Sequence, residues 1–245
     1  MRCCFLSDIH GHLPVIDQEV DVVGIAGDIV PLQIQRDMIK SIVWFVGTFI
    51  PWAKELPCEK VILVGGNHDF FFQKIIDNRF QTRGLFTSEE IESLSAQYID
   101  DILYLPEKIV YLQDSSYSFK GKTFYGTPWI PALSNWAFYK SHNELEITFN
   151  KIPNKVDVLI SHSPGTQNDF GTSLGLPFKP NYGCLELDEA VRKRNIGLWV
   201  AGHVHSGNHN VTEITNEKGK TTKIANVSIK NEDYQPVYSP LYIEI

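Results

Sequence analysis

The chain has 245 residues, of which 43% are hydrophobic and 21% are charged, so its composition gives no indication of a long disordered tail. This length is near the upper limit for one hydrophobic core, and we expect a single domain over residues 1–245. The formal net charge of −7 argues against a general attraction to the backbone of nucleic acids, and nucleic acid is not an expected partner.

The expected location is the cytoplasm. The four cysteines lack the paired spacing of a zinc ribbon or a redox motif, which favours free thiols in a reducing compartment. No basic and apolar leader precedes the first motif, so secretion is not expected. The longest apolar stretch, residues 42–53, is shorter than the roughly 18 residues of a membrane span and contains Pro51. We therefore expect no membrane partner.

The first third of the chain predicts alternating strands and helices. Apolar runs at residues 2–6 and 21–25 are typical of buried strands and lead into the polar segments SDIHG and AGDIV. Apolar spacing from residue 33 to about residue 55 favours a helix, and residues 61–64 form a third strand before GGNHD. A strand, a helix and a strand in this order predict a crossover in a parallel sheet.

The remaining elements are shorter. A capping pattern predicts a helix near residues 87–90. Strands are predicted at residues 102–105, 110–112, 116–119, 123–125, 156–160, 198–201, 211–215 and 222–227, with hairpin turns at 120–122 and 217–219. Helices are predicted at residues 144–150 and 187–194. The whole pattern predicts two packed sheets with helices outside, and polar segments at the carboxyl ends of strands, where α/β proteins build ligand sites.

Candidate metal ligands follow several of the predicted strands. They combine carboxylate, amide and imidazole groups: Asp8, His10, Asp28, Asn67, His162, His203 and His205. Oxygen and nitrogen donors of this kind suit manganese, iron, zinc or similar divalent ions. Any one of these residues alone would more often be an ordinary loop or core residue. Their occurrence in five segments that all follow strands favours one metal centre.

The order D-x-H, G-D, G-N-H-[D/E], H and G-H-x-H resembles that of the calcineurin-like metallophosphoesterase superfamily. The resemblance implies an α/β fold, a four-layer αββα sandwich of two mixed sheets. It also implies two divalent metal ions, with manganese favoured over iron, zinc, nickel or cobalt. One ion would be held by Asp8, His10, Asp28 and His205, and the other by Asp28, Asn67, His162 and His203. Asp28 would bridge the two ions.

Further segments extend the resemblance over nearly the whole chain. YLQDS at residues 111–115, YGTPW at 125–129, GC at 183–184 and YQPV at 234–237 are similar to the metallophosphoesterase domain-containing protein family. Members of that family are described as metal-dependent phosphodiesterases that act on cyclic nucleotides and other small phosphodiesters. The same activity is implied here. Relatives often carry glutamate after GNH, where this chain carries Asp69.

The resemblance leads to a mechanistic hypothesis. A metal-bridging hydroxide would attack the phosphorus, and His68 would give a proton to the leaving oxygen while Asp69 orients its imidazole. Phe70, Trp129 and Phe170 are candidates for stacking against a nucleobase. The segment of residues 165–182 could form either a loop over the pocket or a passive surface loop.

Other functions on the same scaffold stay open. A phosphomonoesterase or protein phosphatase would share the metal chemistry, but no additional substrate-docking region is evident. A nuclease would usually bring a basic channel, and no concentrated basic patch is visible. A metal-binding scaffold without catalysis would usually have eroded ligands, whereas the set here is intact. A small phosphodiester or nucleotide is therefore the favoured partner.

Overall fold

The structure is a computed structural model that describes residues 1–77 and 105–245. The first of its two sheets has five strands: β1 Arg2–Leu6, β2 Val20–Ala26, β3 Cys58–Val64, β4 Ile109–Tyr111 and β11 Leu241–Glu244. Their order across the sheet is β11-β1-β2-β3-β4. β1 to β4 are parallel, and β11 is antiparallel to β1. No strand was predicted at residues 241–244.

The second sheet has six strands. They are β5 Ser115–Phe119, β6 Lys122–Thr127, β7 Lys155–Ser161, β8 Asn195–Ala201, β9 Thr212–Thr215 and β10 Thr221–Asn226. Their order is β5-β6-β7-β8-β10-β9, with the two edge strands antiparallel to their neighbours. Lys120 and Gly121 join β5 to β6 with φ of 46° and 76°, the backbone of a tight two-residue hairpin.

The layers arise because side chains along each strand point alternately to the two faces of its sheet. Phe5 of β1 and Ile160 of β7 belong to one buried cluster between the two sheets. Leu6, the next residue of β1, belongs to a cluster that also contains Phe45 and Phe49 of the helical segment after β2. Successive strand residues point to opposite faces, so each sheet packs against the other sheet on one face and against helices on the other. The predicted four-layer αββα sandwich is confirmed.

Five α-helices lie in the described parts of the chain. They are α1 Met38–Trp44, α2 Ile50–Glu55, α3 Phe70–Asp77, α4 His142–Phe149 and α5 Leu185–Arg192. Helix α1 begins after Asp37, whose carboxylate accepts the backbone N–H of Lys40 at 3.0 Å. Helix α4 begins at a capping box, in which the Glu144 carboxylate accepts the backbone N–H of Ser141 at 2.9 Å.

The single helix expected from residue 33 to about 55 is wrong in two respects. Residues before Asp37 form turns, and a π-helical segment, Phe45–Phe49, separates α1 from α2. Pro51 lacks the N–H group that would bond four residues back, and a wider turn before it accommodates this loss. The helix predicted near residues 87–90 and most of the strand predicted at 102–105 lie outside the described residues.

Candidate metal centre

Strained loops at the carboxyl ends of the strands bring the candidate ligands together. Asp8, His10, Asp28 and His203 have positive φ values of 55°, 41°, 54° and 69°. Residues other than glycine avoid this region, and such conformations concentrate at functional sites. The loops after β1 and β2 are joined, because the backbone N–H of His10 donates to the Asp28 carbonyl at 2.9 Å. The unusual backbone therefore comes from contact between neighbouring loops.

Glycine is required where the loops approach most closely. Gly27 has a φ of 94°, which side chains rarely adopt. A Cβ atom on Gly66 would collide with a carboxylate oxygen of Asp28 and would lie 2.7 Å from the His162 ring. These two positions let the loops after β2 and β3 close around the Asp28 side chain.

The first group of ligand atoms lies between the first and last motifs. The carboxylate of Asp8 is 3.5 Å from Nε2 of His205. Nε2 of His10 is 3.4 Å from the same His205 atom and 3.8 Å from Oδ2 of Asp28. Asp8, His10 and His205 offer ligand atoms that all lie within 4.8 Å of one another. The structure thus brings together the residues predicted for one metal ion.

The second group lies on the other side of Asp28. Oδ1 of Asn67 is 2.9 Å from Nε2 of His162 and 2.9 Å from Nδ1 of His203. The same His162 atom is 3.4 Å from Oδ1 of Asp28. Because Oδ2 of Asp28 faces His10, the two carboxylate oxygens face the two groups.

The chemistry of these atoms fits a bound cation. Nδ1 of His162 lies 2.8 Å from the Ala26 carbonyl, and Nδ1 of His205 lies 3.0 Å from the Asn231 carbonyl. If each Nδ1 carries the proton and donates to its carbonyl, each Nε2 presents a lone pair. Those lone pairs face carboxylate and amide oxygens that also have only lone pairs to offer. Buried acceptors at these separations repel one another unless a positive charge lies among them.

Charge distribution supports the same conclusion. Burial opposes ionisation of Asp8, yet the hydrogen bond and charge of His205 outweigh it and lower the pKa of Asp8 to about 2. Burial lowers the pKa of His10 and of His203 to about 3, so both imidazoles are neutral, as metal binding requires. Burial also disfavours a charged His162, but the neighbouring Asp28 raises its pKa to about 9. The carboxylates thus attract positive charge to this position, either as a proton on Nε2 of His162 or as a metal ion that would take its place.

His68 reaches the same centre from one side. Its backbone N–H donates to Oδ1 of Asp28 at 2.8 Å, and its Nε2 lies 3.8 Å from Oδ2 of that residue. Its Nδ1 contacts Oε1 of Gln35, and its ring centroid is 4.4 Å from that of Trp136. Burial lowers the pKa of His68. His10, Asp28 and His68 form a third group of ligand atoms within 4.8 Å, so His68 is within reach of the metal centre.

The structure places the Asp69 carboxylate against the backbone and not against the His68 imidazole. Its Oδ1 accepts the backbone N–H groups of Ile29 and Val30 at 2.9 and 3.0 Å, and its Oδ2 accepts that of Gly66 at 2.9 Å. Both oxygens therefore bind the backbone, and Gln35 contacts His68 instead. Burial and the charge of Asp28 raise the pKa of Asp69 to about 7, while its amide partners act in the opposite direction. Asp69 joins the loops after β2 and β3.

A cavity of about 230 Å³ opens over the metal centre. Its lining includes candidate ligands of both groups and comes from five separate loops: Asp28, Asn67, His68, Leu133, Trp136, His203, His205, Glu232 and Tyr234. Leu133, Glu232 and Tyr234 were not among the predicted site residues, nor was Gln35 behind His68. Of these, only Tyr234 stands in a quoted motif, YQPV, and the others carry no recognisable sequence signal.

Two of the three predicted stacking residues lie in the core. Trp129 is buried, donates its Nε1–H to Asp114 at 2.7 Å and packs against Phe138. Phe170 is buried edge-on against Trp199 at a centroid distance of 4.9 Å. Neither lines the cavity, so the structure does not bring either of them to the candidate site. Phe70 is half-buried with its ring centroid 6.1 Å from that of Trp136, behind the cavity wall.

The segment of residues 165–182 borders the cavity without lining it. The Ser173 hydroxyl donates to the Glu232 carboxylate, and the backbone N–H of Leu174 donates to the Ser206 carbonyl at 2.8 Å. The cavity lining contains no residue of the segment. The segment therefore supports the rim through Ser173, and a covering role stays a hypothesis.

Proteins of known sequence are similar to this chain over nearly its whole length. A human and a mouse protein, both named metallophosphoesterase domain-containing protein 1, are each 29% identical to it over 248 residues, which cover 100% of this chain and 71% of theirs. A UPF0046 protein of Caenorhabditis elegans is 28% identical over 92% of this chain and 54% of its own length. Among the described residues, no helix has the length and apolar character needed to cross a membrane.

Solved structures share the fold at low sequence identity. One aligns with a TM-score of 0.61 and 10% identity over 99% of this chain and 98% of its own. The crystal structure of phosphopantetheinyl hydrolase from Mycobacterium tuberculosis aligns with a TM-score of 0.53 and 16% identity, covering 98% of this chain and 95% of that one. The calcineurin-like phosphoesterase profile matches residues 1–207, which contain all the predicted ligands. The chain therefore belongs to the calcineurin-like phosphoesterase family and is a metal-dependent phosphoesterase.

Proposed function

We propose that this protein is a binuclear metal-dependent phosphodiesterase that hydrolyses small phosphodiesters, with cyclic nucleotides as the favoured substrates. The observation that carries the proposal is the position of the small cavity, directly above two facing groups of buried ligand atoms. Asp8, His10, Asp28 and His205 would hold one ion. Asp28, Asn67, His162 and His203 would hold the other.

Metal ions bound there would supply positive charge to the phosphoryl oxygens and lower the pKa of an attacking water. The protein provides the arrangement around them. The carbonyls of Ala26 and Asn231 fix the His162 and His205 rings, and the ionised Asp28 presents one oxygen to each group. Such contacts to the outer nitrogen of a histidine ligand orient the ring and strengthen its metal binding.

His68 is the proposed proton donor to the leaving oxygen. The contact between its Nδ1 and Gln35 leaves Nε2 facing the centre, beside Asp28. The Trp136 ring packs against the imidazole and limits its rotation. Burial lowers the pKa of His68 and the charge of Asp28 opposes this shift. Only the imidazolium form, with Nδ1–H on Gln35, carries a proton on Nε2; in that form the proton would be held at the base of the cavity, where general acid catalysis requires it.

The cavity walls favour a small diester over a protein or a nucleic acid. A cavity of about 230 Å³ suits one phosphoryl group with a small substituent. Trp136 and Tyr234 present aromatic surfaces at its rim, where a nucleobase could stack. Glu232 on the same rim would repel the closely spaced phosphates of a nucleic acid or the dianion of a phosphoserine.

A hydrolysis panel tests the proposal. Purified protein with manganese would be assayed on bis-p-nitrophenyl phosphate, p-nitrophenyl phosphate, 3′,5′-cyclic and 2′,3′-cyclic nucleotides, a phosphopeptide and DNA. The expected result is highest kcat/KM on the diesters and cyclic nucleotides, with two metal ions per chain by mass spectrometry. Preference for the phosphopeptide or DNA would assign a phosphatase or a nuclease. Bound metal without hydrolysis of any substrate would assign a non-catalytic scaffold.

A further inference from the structure

The rim of the cavity is chemically divided. Leu133 and Trp136 form an apolar side, whereas Glu232 and Tyr234 form a polar side that contains an acidic group. A carboxylate is unexpected in a pocket for an anionic group, because it adds negative charge where the substrate already has some. None of the predicted metal or catalytic roles requires Glu232.

Glu232 is held at the rim by one of its two oxygens. Its Oε1 accepts the hydroxyl of Ser173 and lies 3.4 Å from the backbone N of Ser206. The other oxygen has no hydrogen-bond partner among the described residues. Glu232 lines the same cavity as Asp28, His203 and His205. The carboxylate therefore exerts its charge inside the cavity.

The loop that carries Glu232 is fixed by its own hydrogen bonds. Oδ1 of Asn231 accepts the backbone N–H groups of Gln235 and Asp233 at 2.8 and 3.1 Å. The Asn231 carbonyl accepts the backbone N–H of Tyr234 at 2.9 Å, and Tyr234 has a φ of 59°. A fixed loop keeps the carboxylate in place, because moving Glu232 away from a repelled substrate would break these bonds.

We infer that Glu232 is a specificity-determining residue that discriminates against substrates with a second negative charge on the phosphoryl group. The inference rests on the proposed function, because it concerns selection among phosphoesters at the same site. A diester carries one negative charge, whereas a monoester carries nearly two above its second pKa of about 6. Since repulsion is proportional to charge, the penalty in free energy is twice as large for the monoester.

This proportionality predicts a specific pattern for E232Q. Glutamine retains an acceptor for Ser173 and Ser206 but removes the charge. At pH 8 with manganese, kcat/KM for bis-p-nitrophenyl phosphate should rise about 3-fold, and that for p-nitrophenyl phosphate about 10-fold, close to the square of the first factor. Calorimetric affinities of the two esters should change in the same proportion.

Matched variants separate charge at the rim from other effects. D233N removes the same charge from the adjacent residue, which does not line the cavity, and should change the diester to monoester ratio less than about 2-fold. E232A removes the Glu232 charge without introducing the amide that glutamine has. It should shift the diester to monoester ratio in the same direction as E232Q. Agreement between E232Q and E232A would assign the shift to charge.

The outcomes are distinguishable. An equal change for both esters, a fall for both, or the same ratio change in D233N would overturn the inference about Glu232. If the wild-type protein hydrolyses neither ester, the proposed function fails. In that case the calorimetric comparison on the manganese-loaded protein still tests whether Glu232 discriminates by charge.

Discussion

The two ends of the first sheet carry acidic residues in opposite environments. At the carboxyl ends of its strands, Asp8 and Asp28 are buried under a cavity of about 230 Å³. At the amino ends, Asp21 and Glu59 line a larger cavity of about 650 Å³. These two acids remain in contact with solvent and pair with the exposed ammonium group of Lys120. The larger cavity has no group of three potential metal ligands among the residues that the structure describes.

The comparison shows which property identifies the site. The acidic residues at the amino ends pair with a lysine and stay hydrated, so placing them there costs little free energy. Those at the carboxyl ends lie on strained backbone and are paired with imidazole groups, which can also bind a metal ion. Buried carboxylates grouped with imidazole nitrogens therefore identify the candidate metal-binding end, and cavity volume does not.

Replacing Asp28 should have the largest effect. Asp28→Ala removes the residue that faces both ligand groups, so metal affinity should fall by more than about 100-fold and hydrolysis should be lost. Mass spectrometry of the protein after gel filtration measures the metal content. Asp21→Ala, at the other end, should retain the wild-type metal content. Two ions per chain in the Asp28 variant would refute the bridging role.

Removal of His68 should impair catalysis and spare the metals. His68→Ala should lower turnover by roughly 100-fold or more, the usual contribution of a general acid, with metal content nearly intact. His142→Ala is the control, because that histidine is exposed on α4 and pairs with Glu186. Unchanged turnover would remove His68 from the mechanism. Loss of metal together with turnover would make it a ligand.

Asp69 should affect stability more directly than chemistry. Asp69→Ala leaves three backbone N–H groups without their carboxylate, and the free energy of unfolding should fall by about 3 kcal/mol, or about 1 kcal/mol for each bond. Urea denaturation at saturating manganese measures this change. Asp69→Asn retains one acceptor oxygen and should lose less. Full stability with abolished turnover would restore the catalytic role expected from sequence.

The smallest effect on activity is expected from a substitution at the amino ends of the strands of the first sheet. Lys120→Met breaks contacts with Asp21 and Glu59 that are exposed to solvent, and exposed ion pairs contribute little. Metal content and kcat/KM on bis-p-nitrophenyl phosphate should match those of the wild-type protein. A clear loss of activity would mean that the larger cavity takes part in function.

Local patterns in the sequence were sufficient for much of the fold. The strands before SDIHG and AGDIV were predictable because buried parallel strands are continuous apolar runs. Strand β11 was not, because its half-buried residues 241–244 form a strand through pairing with the distant β1. The interruption between α1 and α2 depends on Pro51, whose effect on a helix is visible in sequence but whose local solution is not.

For the site, the sequence indicated which residue types converge but not where their side chains point. Asp69 follows His68 directly, yet its carboxylate faces the backbone of residues 29–30, which only the folded loops bring near. The sequence does not show whether an aromatic side chain faces the core or the cavity. Trp129 and Phe170, which the structure buries in the core, therefore could not be told from Trp136. Glu232 lies far along the chain from the metal motifs and has no motif of its own.

The short loop from Asn231 to Gln235 has a further consequence. Its first residue supports the His205 ring through a backbone carbonyl, and two of the following residues, Glu232 and Tyr234, line the cavity. Substitutions that shift the backbone of this loop would therefore also disturb a candidate metal ligand, whereas an exchange of side chain such as E232Q leaves the Asn231 carbonyl in place. Divergence toward new substrates through this loop is thus constrained to changes that preserve its backbone.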